Sequence, residues 1–263
     1  KQKTIRVKNE VSFLRQFAIH KRKNSSAKII AITGSAGKTS LKNLIKELLQ
    51  KFGKTHSSPK SFNNQLGVPI SLSNLEASTE YGVFEVGMSK SGEIKNLSKL
   101  IQPHVGVITN IGEAHIENFR NIKGIADAKG EIIDNIKKNG TIILNHDDKF
   151  FSFLAKKAKL KKIKIVSFGK TNKSDIYPIR TITNKNFIKI TIKVKDQILD
   201  LEVKNINIYN VLAALAVLKE LSLNINKITQ MYKNFEPSDG RGKFHKITRY
   251  NKNFVLVDES YNA

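Results

Sequence analysis

The stretch KIIAITGSAGKTSLKNLI (28–45) ends its glycine turn in Gly37-Lys38-Thr39, the tail of a phosphate-binding loop. The common spacing, G-x-x-x-x-G-K-[ST], would need glycine at position 32, where the chain has Ile32. The first glycine is Gly34, which gives the shorter G-x-x-G-K-T. A strand that feeds a glycine turn and a helix gathers free backbone N–H groups and the positive end of the helix dipole at one point, where an anion fits. Gly34, Ser35, Ala36, Gly37, Lys38, Thr39 and Ser40 would make that cradle. Lys38 can reach terminal phosphates, and the Thr39 hydroxyl suits Mg2+. A glycine turn with an incidental lysine is the plainer alternative. The apolar strand before it and the amphipathic helix after it (Leu41, Leu44, Ile45, Leu48, Leu49, Phe52) argue for phosphate.

Other residues suited to such chemistry lie downstream. Glu85 closes YGVFE, and in an open parallel sheet ligands gather at the carboxyl ends of strands. A carboxylate there suits Mg2+, or is simply a solvated strand end. His115 lies just past the next apolar run, VGVITNI; a lone histidine is ordinarily structural. Lys129, in ADAKGE, reads by itself as one surface lysine among 39. Asn207 and Asn210 are three apart, on one face of a helix. They suit the edge of a flat ring, although asparagine at a helix start is often a cap. Arg241, in SDGRGKF, is one of seven arginines. Its planar fork suits phosphate oxygens, with a linker arginine as the alternative. Ser61, Asn63 and Asn64, in SFNNQLGVP, offer polar contacts to a substrate, and a structured turn before Pro69 accounts for them equally well. Asp258 ends the last apolar run, FVLVD.

The elements that must position these residues alternate. KIIAIT reads as a buried strand, YGVFEVG and VGVITNI as short apolar β-rich runs, and GTIILN and KIVSFG as further strands, with helices after Lys38, over 121–138 and before Lys164. This predicts an α/β fold with a doubly wound, mainly parallel sheet. The period then changes. FIKITIKV (187–194) alternates with period two and QILDLEV (197–203) follows, which predicts a small antiparallel β-hairpin region. An Ala- and Leu-rich helix (206–221) and a short helix near 224–234 come before the last strand. There is no internal repeat.

The 263 residues suffice for one large domain or two small ones. Cysteine is absent, so there is neither a disulfide framework nor a Cys metal site. No apolar run approaches the roughly 20 residues that span a bilayer, and KQKTIRVKNEVSFLRQF lacks a signal peptide's apolar stretch. A cytoplasmic monomer is expected. The net charge of +24 invites a nucleic-acid surface. However, lysine outnumbers arginine 39 to 7, and Asn and Ile abound, the combination an AT-rich genome produces. The lysines are dispersed, so compositional bias is the better reading, and no nucleic-acid partner is expected. The basic field would still gather anionic ligands.

The motifs in combination resemble those of the Mur ligase family, which includes the folylpolyglutamate synthases. T-G-x-x-G-K-T is similar to that family's ATP loop. SFNNQLGVPISL, EVGMSKSGEI, AHIENF, IADAKGEII, NIYNVLAALA, GRG and DESYNA follow in the family's order, over roughly residues 27–263. The resemblance implies an ATP-dependent amide ligase of peptidoglycan precursor synthesis that acts on UDP-MurNAc-tripeptide and D-Ala-D-Ala. The peptide carboxylate would attack the γ-phosphate, and the amine would displace phosphate from the resulting acyl phosphate, with no protein nucleophile. By resemblance Thr39, Glu85, His115 and Lys129 are the metal residues, Lys129 being carbamylated by CO2. Lys38, Lys129, His115 and Arg241 become catalytic, and Asn207 and Asn210 meet adenine. Asp258 meets the nucleotide near a hinge, while Ser61, Asn63 and Asn64 border the muramoyl-peptide site. ATP and Mg2+ are the implied cofactors.

The sequence departs from the family at Ala36, where Asn is common, and at Ser89-Lys90, where Asn-His is usual. The family has three domains. Residues 1–26 are therefore expected to be the remnant of an N-terminal substrate domain and linker. Residues 27–257 would be the central ATP-binding domain, and 258–263 the start of a C-terminal one. On that reading the chain alone binds Mg-ATP weakly and does not ligate. Two rivals are a sibling ligase with another amine, such as glutamate, and a basic P-loop ATPase that binds nucleic acid.

Overall fold

The computed structural model describes residues 4–184, 187–204, 206–236 and 239–262. Lys1, Gln2 and Lys3 of the first predicted segment and Ala263 of the last lie outside them. In chain order the elements are α1 (Glu10–Lys23), β1 (Lys28–Thr33), α2 (Lys38–Leu49), β2 (Thr55–Ser57), α3 (Gly67–Ser73), β3 (Tyr81–Glu85), α4 (Glu93–Ile101), β4 (Val105–Ile108), α5 (Ile122–Gly130), β5 (Thr141–Asn145), α6 (Phe151–Leu160) and β6 (Lys164–Phe168). There follow β7 (Ile176–Thr183), β8 (Ile188–Val194), β9 (Gln197–Val203), α7 (Ile208–Glu220), α8 (Met231–Asn234), β10 (Lys243–Arg249) and β11 (Lys252–Asp258).

Among the described residues nine strands form one sheet in the order β2-β3-β1-β4-β5-β6-β7-β8-β9, parallel from β2 to β6. The central strands are apolar on both faces because helices cover both. On one face the buried stripe of α2 (Leu41, Leu44, Ile45, Leu48, Leu49) packs with α7, whose residues from Val211 to Leu218 are all buried. On the other face Val68, Ile94, Leu97, Ile125 and Leu154 bring α3, α4, α5 and α6 into a second core. From β1 the chain moves outward to β2, returns to β3, then crosses to β4 on the other flank of β1. This reversal opens a crevice above the carboxyl ends of β1 and β4, where the loops carrying Lys38 and His115 emerge.

A single pair, Phe168↔Ile176, joins β6 to β7, beyond which the sheet is antiparallel. Ile190, Ile192 and Val194 of β8, and Leu199, Leu201 and Val203 of β9, point inward as their period-two pattern required. β7 escaped that pattern: Pro178 opens an irregularity in its pairing and most of the strand is exposed. β10 and β11 form a separate antiparallel ribbon. The helix expected over 121–138 stops at Gly130 and tightens into a 3-10 turn (Glu131–Asn135). The helix near 224–234 is a 3-10 turn followed by the short α8. Among the described residues no helix is long and apolar enough to cross a membrane.

α1 is capped by Asn9, whose side chain accepts from Ser12 N at 2.7 Å, and it buries Ala18 in the second core. Its buried Arg22 donates from Nε to Ile101 O at 2.6 Å and from Nη2 to Gln102 O at 2.9 Å, which docks the helix on the end of α4. Arg22→Met strands three carbonyls that the guanidinium now satisfies, those of Ile101, Gln102 and Ser25. It is expected to cost about 2 kcal/mol, read as a lowered urea midpoint with an unchanged slope.

Candidate active site

The glycine turn leaves β1 at Thr33. Gly34 has φ +145°, and a β-carbon there would stand 1.9 Å from Thr109 Oγ1. Gly37, in the left-handed region at φ +80°, starts α2. The loop after β4 clamps the turn. Thr109 Oγ1 donates to Ala36 O at 2.6 Å, Ser35 N to Asn110 O at 3.0 Å, and Ala36 N to Asn110 Oδ1 at 2.9 Å. Ser35 Oγ meets both the N–H and the carbonyl of Gly112. The amides of Ser35 and Ala36 are thus engaged within the protein. The donors at Gly37, Lys38, Thr39 and Ser40, the start of the helix, are left for an anion.

Lys38 folds back so that Nζ donates to Gly34 O at 2.8 Å. Burial lowers its pKa and Arg241 adds to the effect, while Glu85 opposes both. From α5 the Lys129 ammonium reaches the same Gly34 carbonyl, at 3.1 Å. Lys129 is 2% exposed. Burial, with the Lys38 charge beside it, brings it down to about 7. The surface lysine of the sequence is therefore a buried amine, half-neutral near physiological pH.

Glu85, at the end of β3, is also buried. Its Oε2 accepts from Thr39 Oγ1 at 2.7 Å, and its Oε1 from Asn63 Nδ2 at 2.7 Å. A hydroxyl and a carboxylate side by side are the hard oxygen donors that Mg2+ takes alongside phosphate oxygens and water. Among the described residues no three His, Cys, Asp or Glu side chains cluster as a ready metal site.

A cavity of about 270 Å3 brings several of these residues together: Lys38 and Lys129 line it, as do Asn63, Asn64 and His115. His115 has φ +64° and is half-exposed, with Nδ1 3.8 Å from Glu117 Oε1. Asn64 also does structural work, since Oδ1 accepts from Leu66 N and Gly67 N at the start of α3. Ser61 lies apart, its hydroxyl against that of Tyr261.

A second, larger cavity of about 1200 Å3 is lined by Ser40, Asn207, Asn210 and Arg241. Asn207 caps α7 by accepting from Tyr209 N at 2.9 Å, just before the helix and not on its face. Asn210 is buried, and a β-carbon on Gly37 would come within 3.2 Å of its Oδ1. The Arg241 guanidinium stacks 3.7 Å from the Tyr261 ring centroid. Asp258 holds the turn that carries Arg241: Oδ2 accepts from Gly240 N at 2.7 Å, and Oδ1 from the Ser260 amide and hydroxyl. The Ser260 hydroxyl, then the Gly240 and Ser260 amides, hold its carboxyl below the ordinary range.

Sequence reasoning missed Thr109 and Asn110, which shape the loop from far along the chain. A strand end followed by Thr-Asn beside a glycine turn was the available signal.

The family described as the Mur ligase middle domain matches residues 32–218. A UDP-N-acetylmuramoyl-tripeptide–D-alanyl-D-alanine ligase of Rickettsia prowazekii (strain Madrid E) is 34% identical over 267 positions. That alignment covers 100% of this chain and 59% of the relative, so the chain spans about six-tenths of that protein's length. The crystal structure of MurF from Acinetobacter baumannii superposes with a TM-score of 0.89 at 30% identity, over 98% of this chain and 56% of that one. That of the MurF ligase from Thermotoga maritima, a complex with ADP, gives 0.85 at 26%, over 100% and 61%.

Proposed function

Because the chain belongs to the Mur ligase family, we propose that it carries the nucleotide site of an ATP-dependent ligase that joins D-alanyl-D-alanine to UDP-MurNAc-tripeptide, in the cytoplasm and as a monomer. The observation that carries this reading is the 270 Å3 cavity, where the phosphate-loop lysine faces the Asn63–Asn64 loop. Phosphoryl donor and acceptor carboxylate would meet there. Residues 27–257 are the ATP-binding unit in this reading, with 1–26 leading in and 258–263 leading out.

The free amides of Gly37–Ser40 bind the phosphates, and Lys38 and Arg241 neutralise their charge. Adenine and ribose occupy the larger cavity beside Asn207 and Asn210. Thr39 and Glu85 would hold Mg2+, which supplies charge neutralisation between phosphate oxygens when bound. His115 and Lys129 face the same cavity, and a Lys129 carbamate would add a second anionic ligand. The acceptor carboxylate attacks the γ-phosphorus and ADP leaves. The D-Ala-D-Ala amine then attacks the acyl phosphate, and inorganic phosphate departs as the amide forms. Catalysis is positioning plus electrostatics.

The test is phosphate release by the full-length protein with Mg-ATP and UDP-MurNAc-tripeptide, with and without D-Ala-D-Ala. Release that needs both substrates is expected. Equal release with glutamate in place of the dipeptide would redirect the assignment to a sibling ligase.

A further inference from the structure

One helical turn past Lys38, Lys42 is 1% exposed. Its ammonium donates to Ser58 O at 2.8 Å and also to Lys60 O. A lysine four residues on from the phosphate-loop lysine shares its side of α2, and here it is turned wholly inward. Ser58 is fixed from its other side as well, because its N–H donates to Val83 O at 3.0 Å and its hydroxyl accepts from Glu85 N at 3.3 Å. From Lys60 the chain runs straight into Ser61, Asn63 and Asn64, and Asn63 is tied back to Glu85. One helix therefore touches both halves of the site. Its N-terminus presents Lys38 and Thr39 to the nucleotide, and its second turn grips the root of the loop that faces the acceptor.

We propose that Lys42 is a positioning residue that sets the Ser61–Asn64 loop against the phosphate loop, so that the acceptor carboxylate is held in line with the phosphoryl group. The geometric half of this inference stands on the contacts above, and the kinetic half rests on the proposed ligase reading. A lysine suits the place because its compact ammonium can serve two converging carbonyls. Methionine has similar length and no donor, so it leaves the buried Ser58 carbonyl and the part-buried Lys60 carbonyl without this partner. Arginine keeps charge and donors in a larger, planar form.

The experiment compares Lys42→Met and Lys42→Arg with the parent, all as the full-length protein. It reads amide hydrogen exchange over residues 60–67, Mg-ADP affinity, and the separate KM values for ATP and UDP-MurNAc-tripeptide. For Lys42→Met, exchange over 60–67 and the acceptor KM should each rise about tenfold, with Mg-ADP affinity and the KM for ATP within about twofold. Lys42→Arg should fall between. Unchanged exchange over 60–67 would overturn the proposal. So would a uniform rise over the whole chain with equal changes for both substrates, which would make Lys42 a stability residue only. If the parent shows no acceptor-dependent phosphate release, the ligase reading fails, while exchange and Mg-ADP affinity still decide whether Lys42 positions the loop.

Discussion

Lys129→Met is expected to leave a protein that is more stable than the parent and, on the proposed ligase reading, to abolish ligation by the full-length protein. The amine is buried beside a second lysine and finds one carbonyl, that of Gly34. Gly34 O keeps its bond from Lys38 when Lys129 is removed, so methionine leaves no acceptor stranded. What disappears is the cost of holding a cation in low dielectric. The sign follows from the depressed pKa of about 7. The unfolded chain holds this proton up to the ordinary lysine value, and the folded chain gives it up near 7. The penalty is therefore full below about 7 and relieved as pH climbs toward about 10.4. Urea unfolding near neutral pH should show the variant more stable by roughly 2 kcal/mol, with the gap closing near pH 10. Acceptor-dependent phosphate release should fall by at least about 100-fold. On the proposed reading the amine would add CO2, giving a carbamate and a proton. Bicarbonate should then stabilise the parent and not the variant. A variant no more stable than the parent near neutrality would mean that the buried charge is compensated in a way these contacts do not reveal.

Gly34→Ala should have the largest effect on nucleotide affinity. The added carbon would sit 1.9 Å from Thr109 Oγ1, on a residue held at φ +145°. Both the loop and the β4 end would have to move, and the loop is what aims the four free amides of α2. A displacement of about 1 Å at such a site costs about 100-fold, so Mg-ADP affinity by calorimetry should drop at least that far. Thr109→Ala is the comparison. It removes the hydroxyl's bond to Ala36 O and its longer one to Thr33 O, adds no atom to the loop, and should weaken binding by only about tenfold or less. An alanine at position 34 that bound Mg-ADP like the parent would show that the cradle is built elsewhere.

The strand–turn–helix around TGSAGKT was legible because three signals coincide: an apolar strand, a glycine pair and a 3.6-period stripe. The β8–β9 hairpin was legible for the equivalent period-two reason. β7 and β10 were not, since both are largely exposed and carry no inward pattern. Lys129 and Lys42 mark the deeper limit. Local sequence places both on helices among many lysines, and their meaning comes from carbonyls far along the chain. Asn64 and Asn207 show the converse, because their plain readings, a structured turn and a helix cap, describe contacts that they do make.

The bonds that shape the phosphate loop join residues 77, 74 and 95 positions apart in the chain. An excised peptide bearing TGSAGKT would have none of them, and the entropy of closing such long loops is met by the sheet as a whole. The loop thus acquires its shape only when β1 and β4 have found each other, late and non-locally in folding. Any anion that grips it would stabilise the entire native state against unfolding by mass action, so on the proposed reading nucleotide concentration would help to set the fraction of the chain that stays folded.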